Sequence, residues 1–226
     1  MVPAFNESQS IGEVVSALRK AGLPVLVVDD GSSDSTSVMA SSAGGEVLKL
    51  PINLGVGGAL RAGFRFAIAN RYDAVVQVDA DGQHPVDQVP RLIQAAVSQD
   101  AHLVIGSRYL APDSTLIPTS GRRLAMRILA SYVSLTAGYR ITDSTSGFRI
   151  IREPLLSEFA REFPTHYLGD TFEATVNALR AGYRVAEVPA SLSPRRVGES
   201  ATSNAMAVLL VFRALVLTTL RLTRAR

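Results

Sequence analysis

Apolar and polar positions follow two alternating patterns over the first hundred residues. Short runs rich in Val, Leu, Ile and Ala at residues 25–28, 74–78 and 103–105 predict strands, and the first of them is continuously apolar, as is typical of a strand that is buried on both faces. Between them, residues 8–21, 57–70 and 85–98 have the apolar spacing of helices, and a serine is expected to cap the first. This order predicts an α/β fold with a mostly parallel sheet flanked by helices.

Each predicted strand ends at polar residues. The endings are Asp29-Asp30-Gly31, Asp79 and Gly106-Ser107-Arg108. In open parallel sheets, ligands bind beyond the carboxyl ends of the strands, so these three endings are expected to face one crevice.

The second half of the chain continues the pattern. Residues 121–138 and 167–182 are predicted helices, and residues 183–188 alternate as a strand does. No internal repeat and no linker rich in Pro, Gly or Ser separates the halves. Residues 1–203 are therefore predicted to form one domain. The boundary near residue 110 is predicted to separate two functional roles within that domain.

Residues 204–226 form a strongly apolar segment that carries Arg213 near its centre and a basic end at residues 221–226. Twenty helical residues are just long enough to cross a bilayer, but a central arginine costs a few kcal/mol there. We expect a helix that lies in the membrane interface or packs on a partner, with anionic headgroups attracting the basic end. A core helix that caps the sheet is the alternative.

Composition limits the class of protein. With 226 residues, 47% of them hydrophobic and 19% charged, the chain suits one folded domain and is not of the disordered type. Because there is no Cys, disulfides, thiolate metal sites and Cys nucleophiles are excluded, and a reducing compartment is favoured. The first residues lack the pattern of a secretory signal, so we expect a protein that faces the cytosol.

Charge is unevenly distributed along the chain. Residues 1–100 have a net charge of −4 and residues 101–226 a net charge of +7. Arginine supplies 21 of the 23 basic residues, and its guanidinium suits bidentate contacts with phosphate. The arginine excess has an alternative explanation in a GC-rich genome.

The segment Asp79-Ala80-Asp81-Gly82-Gln83-His84 is a candidate metal site. Carboxylates two residues apart at a strand end can turn toward one ion, and hard oxygen ligands suit Mg²⁺ or Mn²⁺. Such an ion would neutralise a diphosphate as it leaves.

Two further turns suggest contacts with a nucleotide. In Asp29-Asp30-Gly31-Ser32-Ser33-Asp34, one carboxylate can accept hydrogen bonds from a base or ribose, Gly31 permits a sharp turn, and Ser33 or Asp34 can cap the next helix. By itself this segment is equally an ordinary strand-to-helix corner. The glycine-rich turn at residues 53–59 leads into a helix whose free amides can lie near phosphate or ribose, although its spacing is neither a Walker loop nor a dinucleotide fingerprint.

Together these segments resemble the nucleotide-sugar glycosyltransferases of family 2, which have the GT-A fold. The similarity in residues 1–110 is carried by Pro3-Ala4-Phe5-Asn6-Glu7, Val28-Asp29-Asp30-Gly31-Ser32 and Asp79-Ala80-Asp81. Later segments are similar to the dolichyl- or polyprenyl-phosphate mannosyl- and glucosyltransferase branch, namely Gly106-Ser107-Arg108-Tyr109, the run from Asp143 to Arg149, and the run from Arg195 to Ser200.

The resemblance implies a role for each matched residue, with residues 1–110 as the nucleotide-sugar half and residues 111–203 as the acceptor half. The implied metal ligands are Asp79, Asp81 and Gln83, and the implied nucleotide-binding residues are Pro3, Asn6, Glu7, Asp29, Asp30, Asn53 and Asp79. The implied acceptor-binding residues are Arg108, Arg123, Arg149, Arg195 and Ser200, and the implied catalytic residues are Asp81, Arg108, Asp170 and Arg195. The family also has an Arg followed four residues later by Ser, whereas here Met126 follows Arg122 and Arg127 follows Arg123.

The implied function is inverting transfer of a hexose from a nucleotide-diphosphate sugar, of the GDP-mannose or UDP-glucose type, to a polyprenyl phosphate. The enzyme would act peripherally at the cytosolic membrane face, without nucleic acid, as a homo-oligomer if residues 204–226 associate. The rival hypothesis is transfer to a hydroxyl with Asp170 as base. A sugar-1-phosphate nucleotidyltransferase and a non-catalytic nucleotide-binding protein are less favoured, since Pro3-Ala4-Phe5-Asn6-Glu7 lacks the glycine-rich loop of the former and both Asp79 and Asp81 are present.

Overall fold

The computed structural model describes residues 1–110, 120–164 and 169–193, in which strands and helices alternate. The strands are β1 (Val2–Ala4), β2 (Leu26–Asp29), β3 (Glu46–Lys49), β4 (Ala74–Gln77), β5 (Leu103–Ser107), β6 (Arg149–Arg152) and β7 (Val185–Pro189). The helices are α1 (Ile11–Lys20), α2 (Thr36–Ser42), α3 (Val56–Ala69), α4 (Val89–Ser98), α5 (Ser120–Ala137), α6 (Leu155–Arg161) and α7 (Ala174–Arg180). A 3₁₀ turn (Val86–Gln88) precedes α4, and a π-helical turn (Gly169–Glu173) precedes α7.

The described strands form two sheets that meet edge to edge. The first is parallel, in the order β1-β2-β3, and the second has the order β4-β6-β5-β7. Main-chain atoms of Met1 join them, because its amine donates to the Val76 carbonyl at 2.8 Å and its carbonyl accepts from the Val78 amide at 3.1 Å. The strands therefore follow one another as β3-β2-β1-β4-β6-β5-β7.

One strand runs against the others. β6 pairs antiparallel with both β4 and β5, whereas β5 and β7 pair in parallel. The α/β class with flanking helices is confirmed, and β6 makes the second sheet mixed. A reversed strand between β4 and β5 leaves the carboxyl ends of those two strands at the same edge of the sheet.

Helices cover both faces, as alternation along the strands requires. In β5, Leu103 and Ile105 point to a core formed with α3, α5, α6 and α7, and Val104 points to the core formed with α1 and α4. Aromatic packing of Phe64 on Phe163, with ring centroids 5.1 Å apart, ties α3 to the segment after α6.

The predicted elements are found with small shifts, and several short ones were missed. The predicted strands correspond to β2, β4, β5 and β7, and the predicted helices to α1, α3, α4, α5 and α7. A serine, Ser10, occupies the predicted N-cap position of α1, but its hydroxyl contacts Glu7 instead of a helix amide. Sequence reasoning missed α2, α6, β3 and β6, which have between four and seven residues, too few for a periodic pattern.

Membrane contact was expected of residues 204–226, which lie outside the described residues together with the end of the predicted domain at residue 203. Among the residues described, no helix combines the length and the hydropathy needed to cross a bilayer.

Candidate active site

A cavity of about 430 Å³ opens at the carboxyl ends of β1, β2 and β4. Its volume is within the range of small-molecule sites. The prediction that strand endings share a crevice holds for Asp30 after β2 and for Asp79 after β4. The described residues that line the cavity are Pro3, Ala4, Phe5, Glu7, Asp30, Val56, Ala59, Gln77, Asp79, Ala80, Asp81, Thr145, Gly147, Asp170 and Thr171.

The two carboxylates after β2 have different partners. Asp29 accepts from the Ser32 amide at 2.8 Å and from the Ser37 hydroxyl, so it closes the turn into α2. Burial raises the pKa of Asp29, but these hydrogen bonds outweigh burial and leave its pKa below the ordinary value. Asp30 lines the cavity, and burial raises its pKa. Of the two nucleotide-binding candidates, Asp30 is placed to meet a ligand.

The turn before α3 serves Asp30 in the structure. The amide of Leu54 donates to Asp30 Oδ1 at 2.7 Å. Asn53 is exposed, and its side chain accepts from the Gly55 amide at 3.0 Å. The turn was expected to direct its amides to phosphate, but its Leu54 amide binds the Asp30 carboxylate instead. Asn53 lies outside the described lining of the cavity.

In the segment of residues 3–7, some residues line the cavity and one supports the loops beside it. Pro3 and Glu7 line the cavity, as predicted for nucleotide-binding residues. Asn6 is exposed, and its side-chain oxygen accepts from the Ser33 main-chain amide at 3.0 Å. The main-chain amide of Asn6 donates to the Ser32 hydroxyl at 2.9 Å. Asn6 therefore fastens the loop after β1 to the loop after β2.

The candidate metal ligands lie in a loop that folds back on itself after β4. Asp79 and Asp81 both line the cavity, and Asp81 Oδ1 accepts from the Gln83 amide at 3.0 Å. The Gln83 carbonyl accepts from Ser193, and its side chain is not part of the described lining. The structure therefore brings Asp79 and Asp81 to the same cavity, as predicted. Gln83 contributes its main-chain amide, which binds Asp81.

The charge of the cavity fits a divalent cation. Five of the described lining residues are acidic and none of them is basic, which disfavours a diphosphate unless a cation binds with it. No group of three or more His, Asp or Glu side chains suited to a metal occurs among the described residues. An ion held by Asp79 and Asp81 alone would keep positions open for phosphate oxygens, as Mg²⁺ sites commonly do.

Arg108, an expected acceptor ligand, belongs to a buried ion pair beside the cavity. Its Nε and Nη2 each lie 2.7 Å from the carboxylate of Asp143, and Nη2 also donates to the Thr145 hydroxyl at 2.7 Å. Burial raises the pKa of Asp143, but Arg108 outweighs burial and holds that pKa below its usual range. Arg108 thereby positions Thr145, which lines the cavity.

Glu187 on β7 supports this ion pair from behind. Its carboxylate accepts from the amides of Thr142 and Asp143, each at 2.7 Å. Burial raises the pKa of Glu187 above its ordinary value. The three charged residues Glu187, Asp143 and Arg108 thus fix the wall of the cavity that ends at Thr145.

Arg149 is buried and does not line the cavity. Its guanidinium donates to the carbonyls of Ser146, Asp170 and Thr171, which belong to two segments of the cavity wall. Burial lowers its pKa to about 10, against the attraction of nearby carboxylates, so it stays protonated at neutral pH. Its position does not support the acceptor-binding role expected of it, because its nitrogens already bind main-chain carbonyls.

The remaining candidates divide between the cavity and the part of the chain that is not described. Asp170 lines the cavity from the π-helical turn. Arg195 and Ser200 lie outside the described residues, and for Arg123 the structure describes only its place in α5. Their acceptor-binding roles stay predictions.

Sequence reasoning assigned no role to several residues that build the site. Gln77, Thr145 and Thr171 line the cavity, and His84 contacts Asp79. His84 stands in the quoted metal motif, so its position was the available signal. No sequence signal identifies Gln77, Thr145 and Thr171, because their side chains reach the cavity only through the packing of β4, β6 and the π-helical turn.

Comparisons with known proteins agree on the family and the fold. The model of the family described as Glycosyl transferase family 2 matches residues 1–159. An undecaprenyl-phosphate mannosyltransferase from Micrococcus luteus is 36% identical over 214 residues, covering 90% of this chain and 86% of the relative. A polyprenol monophosphomannose synthase from Mycolicibacterium smegmatis is 32% identical, with coverage of 90% and 80%.

A solved structure supports the fold. Glucosyl-3-phosphoglycerate synthase from Mycobacterium tuberculosis superposes with a TM-score of 0.73 at 21% identity, covering 94% of this chain and 77% of that one. At this level of identity, the likeness concerns the fold alone.

Proposed function

The chain belongs to glycosyl transferase family 2, and we propose that it is an inverting enzyme that transfers a hexose from a nucleoside-diphosphate sugar to a polyprenyl phosphate. The observation that carries the proposal is the acidic cavity, where Asp79 and Asp81 after β4 lie with Asp30 after β2 and Asp170 from the π-helical turn. Support for the acceptor comes from the two relatives that are named for polyprenyl phosphates.

Asp79 and Asp81 would hold Mg²⁺ or Mn²⁺. When bound, the ion supplies positive charge that neutralises the leaving diphosphate. Asp30 faces the same cavity and can accept hydrogen bonds from a base or ribose, since the Leu54 amide fixes its carboxylate. We place the nucleoside on the side of Pro3, Glu7 and Asp30.

The acceptor needs orientation more than deprotonation. A phosphate monoester is ionised at neutral pH, so its oxygen can attack without a strong general base. The chain's contribution is then placement of two anions against each other, which requires positive charge near the acceptor. Arg149 is a buried cation behind the cavity wall, where it binds the carbonyls of Asp170 and Thr171. We assign direct contact with the acceptor phosphate to Arg195 and Ser200.

Location follows from the acceptor. A polyprenyl chain stays in the bilayer, so the enzyme must work at a membrane surface. We propose peripheral attachment at the cytosolic face through residues 204–226, with a GDP-mannose or UDP-glucose type of donor. Self-association through that segment is part of the same proposal.

The test is a panel of radiolabelled nucleotide sugars incubated with the full chain, undecaprenyl phosphate and Mn²⁺ or Mg²⁺, followed by lipid extraction. One donor should yield a lipid-linked sugar, and EDTA should abolish its formation. Asp81→Asn removes one carboxylate charge with little change of shape and should lower turnover about 100-fold or more. Asp87→Asn, the same change on an exposed turn nearby, is the matched control. Undiminished transfer in EDTA would refute the metal assignment.

Transfer to a hydroxyl is the second candidate, and the position of Asp170 in the cavity favours it. A hydroxyl acceptor requires a base, which is worth about 10²–10⁴-fold in rate. Asp170→Asn should therefore cost less than tenfold with a phosphate acceptor and far more with a hydroxyl acceptor. A loss of 100-fold or more with undecaprenyl phosphate would favour a base-catalysed reaction.

A further inference from the structure

His84 contacts Asp79 at two points. Its Nδ1 lies 2.9 Å from the main-chain nitrogen of Asp79, which donates to it. Because Nδ1 accepts this bond, a neutral ring carries its proton on Nε2. Nε2 lies 3.4 Å from Asp79 Oδ2, so the edge of the ring borders the carboxylate as well as the main chain of Asp79.

The His84 ring is itself held in place. It is 6% exposed and packs on Phe148, with ring centroids 5.1 Å apart. Phe148 is fully buried and lies so close to Gly106 that a Cβ there would meet its ring at 2.5 Å. The imidazole is therefore anchored to β5 and β6, not only to its own loop.

The Asp79 carboxylate fits between this ring and Gly147. A Cβ on Gly147 would lie 3.0 Å and 3.1 Å from the two carboxylate oxygens. The side chain of Asp79 is 39% exposed toward the cavity. The ring on one side and a bare glycine on the other leave the carboxylate few orientations.

We infer that His84 is a positioning residue, which orients the Asp79 carboxylate toward the metal-binding side of the cavity. The inference rests on the proposed function, since it gives Asp79 a metal to bind. A carboxylate that its neighbours confine loses less orientational freedom on binding, and loss of the groups that orient a metal ligand typically costs 10–100-fold in metal affinity. His84 touches neither donor nor acceptor in this role.

Two substitutions separate the two contacts. His84→Asn keeps an acceptor close to the position of Nδ1 and removes the group that faces the carboxylate. His84→Gln can reach the position of Nε2 and restores a polar group beside the Asp79 carboxylate. His102→Asn is the matched control, because Nδ1 of His102 also accepts from a main-chain amide, that of Arg184 at 3.1 Å, and its ring packs on Tyr183.

The measurement is the affinity of the full-length protein for Mn²⁺, determined by electron paramagnetic resonance with UDP or GDP present, alongside thermal unfolding without metal. His84→Asn should weaken Mn²⁺ binding at least tenfold, and the Mn²⁺ concentration for half-maximal transfer should rise in parallel. His84→Gln should stay within about threefold of wild type, and His102→Asn should be unchanged. A merely structural role would lower the unfolding temperature without moving the Mn²⁺ affinity of the folded protein.

The outcomes distinguish the inference from the proposed function. If the wild type binds no Mn²⁺ with either nucleotide, the proposed function and the inference fail together. If the wild type binds Mn²⁺ and folded His84→Asn binds it equally well, only the inference is overturned. Should His84→Asn not fold, His84→Gln decides, because a tenfold loss of Mn²⁺ affinity in that folded variant would contradict the restored contact.

Discussion

Gly147→Ala tests the geometry of the site with a single methyl group. The new Cβ would lie 3.0 Å and 3.1 Å from the Asp79 carboxylate oxygens and 3.3 Å from Gln77 Nε2. Ordinary contacts begin near 3.4 Å, so the carboxylate must move by about 0.4 Å. It moves toward His84 or into the cavity.

The expected loss follows from that displacement. Functional groups work within about 0.5 Å of their productive positions, and a misplacement of about 1 Å can cost 100-fold. A shift of about 0.4 Å should therefore lower kcat/KM roughly tenfold, or about 1.4 kcal/mol in transition-state stabilisation. Stability should change by less than about 1 kcal/mol, because Gly147 has no positive φ and alanine restricts the unfolded chain.

The assay compares transfer rates and Mn²⁺ dependence with stability in urea. Gly12→Ala in α1 is the control, since its Cβ would have nothing closer than 3.9 Å, and it should keep full activity with equal or higher stability. Gly147→Ala with wild-type turnover and Mn²⁺ dependence would refute the reasoning. So would a loss of activity that parallels unfolding.

Three further changes probe the turn, the ion pair and the apolar segment. Gly31→Ala places a Cβ 2.9 Å from the Ile52 carbonyl carbon at φ +75° and should cost about 1–2 kcal/mol or more, with weaker UDP or GDP binding by calorimetry. Asp143→Asn leaves Arg108 unpaired and should cost about 3–5 kcal/mol at pH 7 in urea unfolding. Because the pKa of Asp143 is lowered in the folded state, the wild type should lose this advantage as pH falls below about 4, and a gap between the two proteins that persists at low pH would contradict the pairing. Deleting residues 204–226 should leave nucleotide binding intact and reduce binding to anionic vesicles, whereas wild-type protein that resists carbonate extraction would contradict peripheral attachment.

Local sequence was sufficient for the α/β class and for much of the cavity. Largely hydrophobic runs of three to five residues that are followed by polar residues identify β2, β4 and β5, since burial on both faces favours apolar residues throughout a strand. Strands that run in the same direction have their carboxyl ends at one edge of the sheet, so the polar residues that follow them lie close together. The segment with Asp29 and Asp30 and the pair Asp79 and Asp81 were predicted to face one crevice, although the sequence left open which of the first two carboxylates meets a ligand.

Tertiary structure decided what each polar residue does. Asp29 and Asp30 are adjacent and chemically identical, yet one closes a turn and the other faces the cavity, because successive residues of a strand point to opposite sides. Arg149 looked like a phosphate ligand, but the reversed direction of β6 buries it beneath two cavity segments. His84 contacts Asp79 because Phe148, which lies 64 residues further along the chain, fixes the His84 ring. Such roles depend on contacts between distant segments, and the spacing of residues along one chain carries no record of them.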